Sequence, residues 1–174
     1  MSVSPIVLGP NKLWVAVLLA IFALTGAVAL NAAPRADLEA GGITPASNLQ
    51  TAARIAQQLN KPLVIYVAAA YCTYCLRLER DVLNTVAASS AYQHIVLRRL
   101  LRDDTRPIID FDGQGRSPAS WVTRHDVPLS PTLLFVNARG EEIAPRLVGY
   151  QGPEFYWYYL DERIALASQN LTQR

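Results

Sequence analysis

Leu63-Val64-Ile65-Tyr66-Val67-Ala68-Ala69-Ala70-Tyr71-Cys72-Thr73-Tyr74-Cys75 is the stretch on which the reading of this chain turns. Leu63 to Val67 is a short apolar, β-branched run suited to a buried strand. It passes through three alanines straight into a C-x-x-C, and Leu76, Val82, Leu83, Val86 and Ala87 follow at helical spacing with charged residues between them. A helix beginning at Cys72 places unpaired N–H groups and the positive end of its dipole beside that sulfur. This arrangement stabilises a thiolate, the species that attacks a disulfide. Cys75, one turn further in, is placed to displace a mixed disulfide. The pair is a candidate working dithiol.

Other uses of two cysteines fit less well. A zinc site needs two further ligands, and the only other soft candidates are His94 and His125, both read as structural. A purely structural disulfide closing so short a loop stabilises little. Cys72 and Cys75 are the only cysteines, which excludes a disulfide framework holding an exported domain together. No metal and no cofactor are expected.

Working outward toward the N-terminus, Ser47-x-x-Gln50 has the capping-box pattern. Leu49, Ala52, Ala53, Ala56 and Leu59 then share a helical face that Asn60 and Pro62 terminate. Residues 31–46, rich in Ala, Gly and Pro, read as a tether. Residues 13–30, LWVAVLLAIFALTGAVAL, are uncharged and about the shortest run able to span a bilayer core as a helix. Ala27-Val28-Ala29 also has the small-x-small form of a signal cleavage site. Lys12 precedes the run and little positive charge follows closely, so the rest of the chain is expected outside the cytoplasm, either cleaved and soluble or anchored. The expected organisation is 1–30 signal peptide or anchor, 31–46 linker and 47–174 a single folded domain.

Toward the C-terminus, His94 to Leu101 reads as a second strand and Asp110 to Gly115 as a turn. Ser117-Pro118 supplies an N-cap and a first-turn proline for a helix to about His125. Thr132–Val136 and Glu142–Val148 form a hairpin about Asn137-Ala138-Arg139-Gly140, and Pro145 places the second strand at a sheet edge. Gly152-Pro153 opens a last helix, with Phe155, Tyr159 and Ile164 as inward candidates. The order of elements is α/β with a terminal antiparallel hairpin. Lys12 is the only charge before Arg35, so the body carries fifteen basic against fourteen acidic residues. That balance gives no electrostatic footprint for nucleic acid. The densest basic spot, Arg98, Arg99 and Arg102, is followed at once by Asp103 and Asp104 and reads as a solvated strand end.

These motifs together resemble the thioredoxin superfamily. The matching features are Val64–Val67 leading to Cys72-Thr73-Tyr74-Cys75, then Val127-Pro128-Leu129-Ser130-Pro131-Thr132, Leu133–Val136, the turn ending in Gly140, and Val148-Gly149-Tyr150. The similarity covers roughly residues 47–168. Asp110-Phe111-Asp112-Gly113 and the Gly149-Tyr150…Phe155 ending are similar to periplasmic thioredoxin-like proteins of bacterial sulfur-oxidation gene clusters. The resemblance implies a central mixed sheet flanked by helices, a cis bond at Ser130-Pro131 packed on the cysteines, and substrate contacts from Tyr71, Thr73, Tyr74, Ser130 and Pro131. The leading reading is a periplasmic thiol–disulfide oxidoreductase that keeps the cysteine pairs of partner proteins reduced; in oxidising surroundings such a reductant needs electrons from a membrane dithiol donor.

Two departures stand out. Tyr71 and Thr73-Tyr74 replace the Trp and Gly-Pro of thioredoxins proper. The acidic residue that thioredoxins bury six positions before the first cysteine is Tyr66 here, a poor base with a reference pKa near 10, read as a core aromatic. Two rival functions remain. One is a disulfide-donating oxidase, which the lack of a charged residue between the cysteines disfavours. The other is a copper carrier of the same fold, which the short cysteine spacing and the expected cis-proline argue against.

Overall fold

The structure is a computed structural model that describes residues 42–172. The hydrophobic segment 13–30 and most of the expected tether lie outside the described residues. Four strands form the main sheet: β1 (Leu63–Ala68), β2 (Val96–Leu101), then, past a two-stranded hairpin of β3 (Ile108–Ile109) and β4 (Gly115–Arg116), β5 (Thr132–Val136) and β6 (Glu142–Val148). Their order is β2-β1-β5-β6. β1 runs parallel to β2 and antiparallel to β5, and β5 is antiparallel to β6. The sheet is mixed, as the resemblance implies.

Every residue of β1 is buried, as a strand covered on both faces requires. Its side chains alternate between two apolar layers. Val64 and Tyr66 face a layer with Leu78, Val82, Phe135 and Leu160, whereas Leu63, Ile65 and Val67 face one with Leu49, Ala53, Trp121 and Leu134. The helix α1 (Leu49–Gln58) supplies the second layer. Its cap is Asn48, whose side chain accepts from the Thr51 amide at 2.7 Å, so the capping box expected at Ser47 does not form. The Ser47 carbonyl instead accepts from the Ile109 amide at 3.0 Å. Leu59 lies past the helix end and is 52% exposed, outside the buried face expected to hold it.

Ile43 to Ala46 belong to the folded body, although their composition reads as tether. Ile43 and Ala46 are buried. The Ala46 amide donates to Arg99 at 2.7 Å and Arg99 donates back to Thr44 at 2.8 Å, so this segment lies along the outer edge of β2. At the opposite edge, β6 carries Pro145 within a register irregularity: Leu133 pairs with Leu147, but Phe135, two residues on, pairs with Ala144. The extra residue is a bulge. The β5–β6 turn needs Gly140, which has φ +79°, and a Cβ there would lie 2.5 Å from the Phe111 ring.

The helix after the cysteines is interrupted. α2 (Thr73–Leu78) runs into a π-helical turn (Glu79–Leu83) and then α3 (Asn84–Ala88). The buried set is Cys75, Leu78, Val82, Leu83 and Val86. Leu76, at 63% exposure, and Ala87 are outside the core that the sequence spacing assigns them to. In α5 (Pro153–Thr172) the inward stripe is Tyr156, Leu160, Ile164 and Ala167. Phe155 and Tyr159, both expected inside, sit on the adjacent exposed stripe. An aromatic-rich helix start offers two neighbouring apolar faces, and only packing against the sheet chooses between them.

The β3–β4 hairpin and α4 (Pro118–Arg124) are joined by a buried polar knot. Ser117 caps α4 with Pro118 in its first turn, as expected. Asp110, 4% exposed, accepts from Trp121 Nε1 at 3.0 Å, Arg116 Nε at 2.6 Å and the Phe111 amide at 2.8 Å. His125 stacks on Trp121 at 4.0 Å, and burial lowers its pKa from the ordinary value. Replacing Asp110 with Ala leaves the indole N–H and the guanidinium without their acceptor, at a cost of about 3 kcal/mol. Urea unfolding of Asp110→Ala is expected to show that loss with an unchanged slope. A loss below about 1 kcal/mol, the worth of one ordinary hydrogen bond, would mean that the knot does not hold hairpin and helix together.

Candidate active site

Cys72 and Cys75 are joined in a disulfide at the point where β1 gives way to α2, with their Cα atoms 5.1 Å apart. Cys72 is the N-cap of α2. Its backbone is extended, at φ −111° and ψ 99°, and its sulfur accepts from the Cys75 amide at 3.1 Å. The two sulfurs have unlike surroundings: Cys72 is half-buried, but Cys75 is only 2% exposed and packs in the core.

Three other loops converge on the disulfide. The Ser130-Pro131 bond is cis, and the Ser130 carbonyl lies 3.7 Å from Cys72 Sγ, within reach of an S–H donor in the dithiol form. Pro131 is buried, and its carbonyl accepts from the Gly149 amide at 2.8 Å, which ties the end of β6 to the same place. The Asp103 carboxylate accepts from the Ala70 amide at 2.9 and 3.1 Å, and Arg102 donates to the Pro128 carbonyl at 2.9 Å. Arg102 and Asp103, at the end of β2, thus clamp the loops on both sides of the cysteines.

The structure brings Cys72, Cys75, Ser130 and Pro131 into one group, flanked in sequence by Tyr71, Thr73 and Tyr74. Tyr71 and Tyr74 are exposed, as are Leu76 and Leu129, so the disulfide opens onto an apolar rim. The hydroxyl of Ser130 is buried with no hydrogen-bond partner among the described residues. His94 packs beside Tyr92 and His125 on Trp121. Among the described residues no three His, Cys, Asp or Glu side chains cluster as a metal site requires.

Tyr66 is a fully buried core aromatic, as expected, but it is also part of a polar network that the sequence reading did not contain. Its hydroxyl donates to the Glu79 carboxylate at 3.0 Å and lies 3.3 Å from the Cys75 carbonyl. The other Glu79 oxygen accepts from Arg99 at 3.3 Å. Burial above all, and then the Glu79 charge, pushes the Tyr66 phenol well above its ordinary pKa, so it serves as a donor and not as a base. Arg99 is therefore no solvated strand end: it faces Tyr66 across the β1–β2 register and neutralises a largely buried carboxylate. The π turn also holds Asp81, which accepts from Tyr150 at 2.9 Å; its bonds to Arg80 and Tyr150 lower its pKa.

A redox-active cysteine pair at a helix start, facing a cis-proline on a mixed sheet, defines a thiol–disulfide oxidoreductase. The family model described as a thioredoxin-like domain matches residues 49–164, and the chain belongs to that family. Among solved structures it is similar to the periplasmic thioredoxin SoxS of Paracoccus pantotrophus in its reduced form, at 22% identity over 62% of this chain and 99% of that one, with a TM-score of 0.45. It is similar as well to oxidised mitochondrial thioredoxin 3 of Saccharomyces cerevisiae, at 20% identity over 71% and 93% of the two chains and a TM-score of 0.48. A thioredoxin-fold protein of Helicobacter pylori shares 16% identity over 66% and 79%, with a TM-score of 0.49. No curated protein matches the chain.

Proposed function

We propose that this oxidoreductase is exported and reduces disulfides of periplasmic partner proteins, with Cys72 as the attacking sulfur and Cys75 as the resolving one. The observation that carries the assignment of roles is the unequal setting of the two cysteines: Cys72 is half-buried at the helix cap, whereas Cys75 is shut in the core. In the dithiol form the Cys72 thiolate attacks a partner disulfide, forms a mixed disulfide and releases one partner thiolate. Cys75 then loses its proton to solvent and attacks Cys72 Sγ. The second partner sulfur leaves as a thiolate, and the Cys72–Cys75 bond closes. Two electrons pass to the partner. The Ser130 carbonyl beside Cys72 and the exposed Tyr71, Thr73 and Tyr74 offer an approaching chain a backbone acceptor and an apolar rim.

Regenerating the dithiol outside the cytoplasm requires a membrane dithiol donor. Support for export comes from the uncharged segment 13–30 behind Lys12. Among the described residues no helix is long and apolar enough to cross a membrane, and segment 13–30 lies outside them.

Support for the reducing direction comes from Thr73-Tyr74, which places no cation between the cysteines. A helix terminus is worth about 0.3–1 kcal/mol to a neighbouring charge, and in a two-electron couple 30 mV corresponds to about 1.4 kcal/mol. The terminus alone thus shifts the potential by tens of millivolts at most, against the roughly 150 mV that separates thioredoxin from the oxidant DsbA.

Three measurements test this reading. Cys75→Ser is expected to accumulate mixed disulfides with partners on non-reducing gels while Cys72→Ser accumulates none; the reverse pattern would exchange the roles. Equilibration with glutathione and dithiothreitol is expected to give a potential nearer about −270 mV than about −120 mV, and a value above about −150 mV on the same scale would make disulfide donation the better account. Alkaline phosphatase fused after Arg174 is expected to be active, and an inactive fusion beside an active cytoplasmic reporter at the same site would refute export.

A further inference from the structure

We propose that the cavity between the end of β6 and the start of α5 is a subsite that takes a lysine or arginine side chain of the partner polypeptide, against the rings of Phe155 and Tyr159 and beside the Glu154 carboxylate. This rests on the reading that a partner joins the chain at Cys72.

The cavity has a volume of about 500 Å³, and its lining includes Tyr150, Glu154, Phe155, Tyr156 and Tyr159. Tyr150 and Tyr156 are buried and meet edge to face, with ring centroids 5.2 Å apart. Phe155 and Tyr159 are the opposite case, 75% and 45% exposed. A further exposed ring, Tyr158, meets Tyr159 edge-on at 5.5 Å. Apolar surface left in water is unfavourable, and exposed aromatic rings grouped at a cavity mark a place of contact.

The cavity adjoins the disulfide. The Ser130 carbonyl is 3.7 Å from Cys72 Sγ, and the next carbonyl, that of Pro131, accepts from the Gly149 amide at 2.8 Å. Gly149 belongs to the cavity lining, and a Cβ there would meet nothing within 4 Å. A partner strand held at Cys72 thus has open ground over Gly149 to the rings. An extended chain advances about 3.3 Å per residue, so the side chain that enters is a few residues from the partner's cysteine.

The charge of the occupant follows from Glu154. It is the only charged residue that lines the cavity, and its carboxylate has no ion pair and no hydrogen bond among the described residues. The neighbouring acid Asp81, which accepts from Tyr150, is already paired with Arg80. Arg77 acts on Tyr150 electrostatically but does not line the cavity. A first-turn carboxylate suits the helix dipole wherever it stands, but the exposed rings beside it have no such local reason. An apolar occupant would strip water from the carboxylate and give nothing back. An ammonium or guanidinium pairs with it and also meets the ring faces, which attract cations.

The test uses the reduced full-length chain carrying Cys75→Ser, so that reaction stops at the mixed disulfide. The probes are single-cysteine peptides whose sulfur is joined to thionitrobenzoate. The Cys72 thiolate attacks the peptide sulfur, the Cys72–peptide bond forms, and thionitrobenzoate leaves with the bonding pair as a coloured thiolate. Lysine, leucine or glutamate is placed at successive positions on either side of the peptide cysteine. At one position lysine is expected to react roughly fivefold faster than leucine, with glutamate slower than both. Glu154→Gln and Phe155→Ala are each expected to cut that ratio to about twofold. Bis(nitrobenzoate) disulfide, which carries no peptide, should react at the same rate with and without these substitutions. Lysine favoured equally at every position, or a ratio unmoved in both variants, would overturn the proposal. So would leucine reacting as fast as lysine throughout, which gives the cavity to an apolar side chain. A rate constant that falls as chain concentration rises, except in Phe155→Ala, would give the face to a second copy and overturn it too. If no probe releases thionitrobenzoate, the small disulfide included, the assignment of Cys72 as the attacking sulfur fails instead.

Discussion

The structure depends on the burial of β1 on both faces and its pairing on both edges. A six-residue strand whose side chains feed two apolar layers, and whose backbone bonds are taken by β2 and β5, has no freedom of register. Its C-terminal end is therefore a fixed point, and Cys72 lies only four residues beyond it. The disulfide inherits its place from that rigidity. Ala70 is pinned by Asp103 from the end of β2, and the Ser130-Pro131 loop arrives from the start of β5, so both neighbours of β1 deliver a piece of the site.

The π turn after α2 adds a second constraint of a different kind. Glu79, at its start, stands one regular turn beyond Cys75 and accepts from Tyr66, and Asp81 within it reaches Tyr150. Leu76, in the regular helix before it, is exposed, as are Tyr74 and Leu129.

Fold class was legible because three signals agreed: the apolar run into C-x-x-C, the hairpin signalled by Asn137 to Gly140, and the Ser117-Pro118 helix start. The cysteines and the Ser130-Pro131 loop were legible too, the first from spacing and the second from family resemblance. The choice of cap was not. Ser47 and Asn48 are both good caps, and pairing of the preceding segment with β2 and β3 selects Asn48. Nor was the partner of Tyr66. Glu79 and Arg99 are unremarkable charges in the sequence, and they meet only through the parallel register that sets Tyr66 opposite Arg99. Tyr66 reads as a core aromatic, which it is, and nothing in the sequence pointed to the contacts of its hydroxyl.

The treatment of the two outer strands bears on the company such a protein keeps. Any protein that contacts other chains is exposed to extended segments with unpaired strand. An open sheet edge in that setting templates pairing with any extended segment, which ends in aggregation. Here Ile43 to Ala46 cover the outer side of β2, and Pro145 with its bulge breaks the donor row of β6. Both edges are thereby closed to strand addition, which is hard to undo, while the Cys72–Cys75 bond, which can be reversed, lies away from them at the end of β1.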